Sequence, residues 1–133
     1  DYHKTMKFRF AVVDDATFIR EIIKNIGEGM GGTCVAEAEN GRDALQAVRS
    51  SLPDLLFLDL VMPLRNGFEI IEEIKEIWPE IKIVVCTTLD QDDMIQKVQD
   101  KGIQDYLTKP FSKTEIETVI QKLMLSRKES PRV

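Results

Sequence analysis

The sequence predicts an α/β fold, (βα)5, in which a doubly wound five-stranded parallel sheet carries helices on both faces. Three observations predict it. Five short apolar runs alternate with five segments whose apolar residues recur at helical spacing. The run Leu55-Leu56-Phe57-Leu58 shows no polar alternation, as suits a strand buried on both faces of a parallel sheet. Strand–helix alternation in a chain of 133 residues leaves room for one such sheet and one domain.

The elements follow in order. Phe8 to Val13 reads as the first strand and ends on two acids, Asp14 and Asp15. Ile19, Ile22, Ile23 and Ile26 have i, i+3, i+4, i+7 spacing and mark the first helix. Gly27, Gly29, Gly31 and Gly32 are expected to stop it. Thr33 to Glu37 is the second strand, Asn40-Gly41 a turn, and Ala44, Leu45, Ala47 and Val48 a short helix. The third strand, Leu55 to Leu58, ends on Asp59; a loop with Pro63 and Asn66-Gly67 follows. Ile70, Ile71, Ile74 and Ile77 mark the third helix, with Pro79 just past its end. Ile81 to Cys86 is the fourth strand, ending on Thr87-Thr88. Met94, Ile95 and Val98 are expected to face inward from the fourth helix, which Gly102 closes. Ile103 to Leu107 is the fifth strand, ending on Thr108-Lys109-Pro110. Ser112 and Glu115 form a capping box for the last helix, which carries Ile116, Val119, Ile120 and Leu123.

Composition narrows the function. A chain that is 43% hydrophobic and 31% charged can build a core and is not a disordered segment. A net charge of −5 argues against nucleic-acid or anionic-membrane binding by this domain. Cys34 and Cys86 sit in apolar runs without a CxxC pairing and read as buried, reduced core thiols. No segment resembles a signal peptide or a membrane span, so a cytoplasmic protein is expected.

Polar groups gather where strands end: Asp14 and Asp15, then Asp59, Thr87 and Lys109. In a parallel sheet these C-terminal ends share one edge, where ligands bind. Three carboxylates brought together repel, and a divalent cation removes that conflict. Oxygen-only donors suit Mg2+ or Mn2+ rather than zinc. Lys109 adds a mobile positive charge and Thr87 a hydroxyl. Metal, ammonium and hydroxyl together describe a site for a phosphoryl group, with one carboxylate as nucleophile. Alone, an acid after a strand is a turn or cap residue, and Lys-Pro is a solvated turn. It is the joint placement that points to chemistry.

These residues resemble a family. Val12-Val13-Asp14-Asp15, Leu58 to Pro63 with Asn66-Gly67, Val84 to Thr88, and Asp105 to Phe111 look like the signatures of bacterial two-component response-regulator receivers of the CheY-like kind. The resemblance covers residues 7–125, leaving 1–6 as an N-terminal extension or expression remnant and 126–133 as a polar tail or linker. It implies a flavodoxin-like sheet of order 2-1-3-4-5. It implies that Asp59 is the phosphoacceptor and that Asp14, Asp15, Asp59 and the Val61 backbone carbonyl hold Mg2+. Thr87 and Lys109 would contact the phosphoryl group, Tyr106 would swing between outward and inward rotamers, and Lys109–Pro110 would be cis. Thr88 departs from the usual Ala or Gly; it could narrow access to the phosphoryl group or restrain Tyr106. Apolar Val61 and Leu89 supply no side chain to position a hydrolytic water, so a phosphoryl lifetime that is not unusually short is expected.

The resemblance further implies a histidine kinase or phosphotransfer protein as donor. The downstream target is a protein, as in chemotaxis, or an attached output domain, reached through the fourth helix, fifth strand and fifth helix. The domain would be a monomer or a phosphorylation-dependent dimer. It would catalyse its own phosphorylation and dephosphorylation without being a metabolic enzyme. A haloacid-dehalogenase-type phosphatase fits poorly, because Val61 stands where that chemistry wants a second Asp. A degenerate, phosphorylation-independent receiver is disfavoured because all five key residues are present. No GxxxxGK[ST] or GxGxxG supports nucleotide binding.

Overall fold

The computed structural model describes residues 6–125. Five strands, β1 (Phe8–Val13), β2 (Gly32–Ala38), β3 (Leu55–Leu58), β4 (Lys82–Thr87) and β5 (Asp105–Thr108), alternate with five helices. These are α1 (Thr17–Gly29), α2 (Gly41–Ser51), α3 (Gly67–Ile77), α4 (Asp92–Gln99) and α5 (Lys113–Ile120). The sheet is wholly parallel, in the order β2-β1-β3-β4-β5. The fold is thus the flavodoxin-like (βα)5 fold that the sequence predicts.

Alternation along β1 divides the core into two layers. Phe10 and Val12 face one side with Phe57, where Ile23 of α1 and Ile116 and Ile120 of α5 cover them. Ala11 and Val13 face the other side with Leu56 and Leu58, under Ala44 and Val48 of α2, Ile70, Ile71 and Ile74 of α3 and Val98 of α4. Burying such side chains contributes roughly 1.5–3 kcal/mol each. β3 is fully buried at all four positions, as its continuous apolar run requires. After α5 a π-helical turn, Gln121–Leu125, buries Leu123 and Met124.

Local structure corrects several boundaries. Gly27 and Gly29 do not stop α1, which runs to Gly29. Gly27 instead lies under the Phe10 ring, where a Cβ would come within 2.6 Å of its Cζ. The chain reverses at Gly31, whose φ is +100°. Asn40-Gly41 is not a free turn, and Asn66-Gly67 ends its loop by opening α3. Each Asn is an N-cap whose side chain accepts from the backbone N–H three residues on, in Asp43 and Glu69. β5 begins at Asp105 rather than Ile103. In α4 only Val98 is fully buried; Met94 packs at the margin, and Ile95 is half-exposed outside both layers. The Ser112–Glu115 capping box is present as predicted.

Candidate functional site

Backbone hydrogen bonds carry the sheet one residue past several strand ends and thereby place the site. The Asp14 N–H donates to the Ala38 carbonyl at 3.0 Å, that of Asp59 to Val13 at 2.9 Å, and that of Lys109 to Thr87 at 2.7 Å. Asp14, Asp59 and Thr87 are buried; Asp15 is exposed. Oxygens of Asp14, Asp15 and Asp59 lie within 4.8 Å of one another.

Each buried carboxylate divides its oxygens between backbone and ammonium. Asp14 Oδ1 accepts from the Ala16 N–H at 2.9 Å, and Asp59 Oδ1 accepts from the Val61 N–H at 3.1 Å. Their Oδ2 atoms accept from Lys109 Nζ at 2.7 and 3.0 Å. Burial pushes the Asp14 carboxyl above the usual aspartate value, against the opposing pull of Lys109 and the Ala16 N–H. Burial also pulls the Lys109 ammonium down, but its bonds to Asp14 and Asp59 outweigh this and hold it above the ordinary lysine value. The Lys109–Pro110 bond is cis.

Thr87 ends β4, the neighbour of β3. Its Oγ1 is buried without a hydrogen-bond partner among the described residues. A buried hydroxyl left so costs about 1–3 kcal/mol unless a ligand meets it. Cys86 beside it is free and buried, and burial pushes its thiol up, which makes it inert packing. Cys34 is free but only half-buried, less enclosed than its apolar run predicts.

Tyr106 is half-buried, and its phenol donates to the Leu89 carbonyl at 2.7 Å. Burial, then the charges of Asp90 and Asp59, push the phenol up. Thr88 is exposed beside this anchor. Val61 is 52% exposed, so its side chain is no part of the core. The structure therefore brings Asp14, Asp15, Asp59 and Lys109 together directly, sets Thr87 on β4 next to the strand that carries Asp59, and sets Tyr106 one strand further out on β5. Sequence reasoning missed Arg20, which donates to the Asp14 carbonyl at 2.6 Å. The one available signal was a basic residue some one and a half turns after the acidic pair.

The profile of the response regulator receiver domain family matches residues 10–121. Chemotaxis protein CheY of Thermotoga maritima is 35% identical over 115 residues, 86% of this chain and 96% of that protein. Chemotaxis protein CheY of Bacillus subtilis is 35% identical over 119 residues, 90% of this chain and 99% of that protein. The solved REC domain of AraT, a response regulator from Geobacillus stearothermophilus, superposes with a TM-score of 0.83 at 28% identity, covering 94% of this chain and 98% of that one. Among the described residues, no helix is long and apolar enough to cross a membrane. The family profile over most of the chain and the near-complete coverage of the relatives agree with the fold and the acidic pocket: the chain belongs to the response regulator receiver domain family.

Proposed function

We propose that the protein is a phosphorylation-activated switch of a two-component system in which Asp59 is the phosphoacceptor. The observation that carries this is the shared ammonium of Lys109, which holds Asp14 and Asp59 in one buried acidic pocket. The three carboxylates offer only oxygen and suit Mg2+ or Mn2+. Asp14, Asp15, Asp59 and the Val61 backbone carbonyl would hold the ion. A bound Mg2+ supplies positive charge that lets these acids and a phosphoryl group share the pocket.

The chain's own residues do the rest. The Asp59 carboxylate attacks the phosphorus of a phosphohistidine on a histidine kinase or phosphotransfer protein; the P–N bond breaks and the imidazole leaves. Lys109 turns from Asp59 to the new phosphoryl oxygens, and the unpartnered Thr87 hydroxyl donates to them. The added charge is roughly −1.5 to −2. The face formed by α4, β5 and α5 then responds. β5 is the sheet's edge strand, and α4 buries only Val98 completely, so this region rearranges at low cost. Tyr106, anchored on Leu89, couples that face to the β4–α4 loop. Moving such an equilibrium from roughly 1:99 to 99:1 requires about 5.5 kcal/mol of differential stabilisation.

The domain thus turns over its own phosphoryl group and is not a metabolic enzyme. Output follows either through binding of another protein, as for a chemotaxis protein such as the CheY relatives, or through an attached output domain. Incubation with a small phosphodonor and Mg2+ tests the assignment. Mass spectrometry should find one phosphoryl group on the parent and none on Asp59→Asn; equal labelling of the variant would refute Asp59 as the acceptor.

A further inference from the structure

Arg20, on the second turn of α1, takes no part in the mechanism above, yet its side chain is only 13% exposed. Its guanidinium is divided among three oxygens. One Nη donates to the Asp14 carbonyl at 2.6 Å, the other to Thr17 Oγ1 at 3.2 Å, and Nε to Glu37 Oε1 at 3.2 Å. Glu37 is held in turn by Lys24 at 3.1 Å. The planar fork is thus held by two side chains, Thr17 and Glu37, while it donates to the backbone.

The carbonyl it meets belongs to the peptide unit joining Asp14 to Asp15. That peptide plane sets the direction in which the Asp15 side chain leaves the chain. Asp14 is already secured by its N–H to Ala38, its Oδ1 to the Ala16 N–H and its Oδ2 to Lys109. The Asp15 carboxylate has no hydrogen bond or ion pair among the described residues, although one of its oxygens lies within 4.8 Å of those of Asp14 and Asp59. Its aim therefore depends on the backbone it hangs from, and Arg20 is the side chain that holds that backbone.

We propose that Arg20 is a positioning residue of the cation pocket: it clamps the Asp14–Asp15 peptide so that the Asp15 carboxylate faces Asp14 and Asp59. The proposal rests on the cation-dependent reading of the site given above. Charge and position make opposite forecasts, which allows a clean test. Removing a positive charge beside three carboxylates should tighten divalent-cation binding. Releasing a group that orients a metal ligand should weaken it, by about 10-fold.

The test is calorimetric titration of the full chain with Mg2+ alone, comparing the parent with R20M, R20K and R42M. Arg42 lies 70% exposed on the surface and serves as the charge control. Circular dichroism confirms that each variant is folded. The expected result is about 10-fold weaker binding in R20M and about 3-fold weaker binding in R20K, where charge is kept but the fork is lost. R42M should bind as the parent or slightly tighter. The Asp15 amide resonance should also move in cation-free R20M. A folded R20M that binds Mg2+ as tightly as the parent, or tighter, overturns the proposal. If R20M fails to fold, R20K decides: parental affinity there overturns it. A parent that binds no Mg2+ defeats the site reading instead, so the two failures are distinguishable.

Discussion

Lys109 Nζ donates to Asp14 Oδ2 at 2.7 Å and to Asp59 Oδ2 at 3.0 Å, tying the residues that follow β1, β3 and β5 into one cluster. Without a cation, this ammonium is the positive charge that, among the described residues, pairs with both buried carboxylates. Lys109→Met should therefore destabilise the cation-free protein. Removing one partner of a buried pair costs about 3–5 kcal/mol, and partial exposure of Lys109 lowers the expectation to about 2 kcal/mol. Urea denaturation measures it, and saturating Mg2+ should recover part of the loss. An unchanged midpoint without Mg2+ would show that the carboxylates do not need the ammonium.

Gly41 is the first residue of α2, and its N–H donates to the Pro63 carbonyl at 3.1 Å. A Cβ there would collide with the Arg65 carbonyl, which is backbone and has little room to yield. Gly41→Ala should cost about 2 kcal/mol despite the higher helix propensity of Ala, and should displace the loop that follows Asp59. Gly29, at the end of α1, meets nothing within 4 Å. Gly29→Ala should stabilise by about 0.5 kcal/mol. Parallel denaturation curves check both, and equal effects would contradict the packing.

The same residue shows where sequence reasoning reached its limit. β3 and its terminal Asp59 were legible because a four-residue apolar run has few alternatives in a chain of this length. Asp14, Thr87 and Lys109 followed because parallel topology sends strand C-termini to one edge. Asn40-Gly41 was misread as a turn because an Asn-Gly pair suits both a turn and an N-cap; the crowding of Gly41 against Arg65 is a tertiary fact. Gly27 fooled the helix reading for the same reason, since its partner Phe10 is distant in sequence. The Leu89 carbonyl acts through a contact that no motif spacing announces, and Arg20 had only its distance from the acidic pair to announce it.

Lys75 gives a pH dependence with a definite sign. Burial, then the nearby charge of Lys82, lowers its value below the ordinary 10.5. Between its folded value and 10.5 the unfolded chain binds the extra proton, so stability rises with pH across that window. At neutral pH the charged ammonium is a liability. It donates only at 3.4 Å, to the Ile81 carbonyl and to Gln104 Oε1, and the latter already accepts from the Ile83 N–H at 2.7 Å. Lys75→Met should raise the thermal midpoint at pH 7, and its advantage should shrink as pH approaches 10. An advantage that grows with pH would reverse the assignment.

Tyr106 stands on β5 and reaches the Leu89 carbonyl at 2.7 Å, across a loop that otherwise carries exposed Thr88, Asp90 and Gln91. Tyr106→Phe keeps the ring and removes only the donor. A net hydrogen bond of this kind contributes about 1 kcal/mol, and the ring's packing against the α2–α3–α4 layer should survive. The expected outcome is a loss of about 1 kcal/mol, with faster hydrogen exchange confined to residues 88–91. Labelling of Asp59 by a small phosphodonor should stay within about threefold of the parent, since the phenol does not bond to the acidic pocket. Tyr106→Ala adds loss of the packed ring and should cost about 3 kcal/mol. If Phe and Ala variants proved equally destabilised, the ring rather than the hydroxyl would be idle, and the anchor on Leu89 would account for the whole effect of Tyr106.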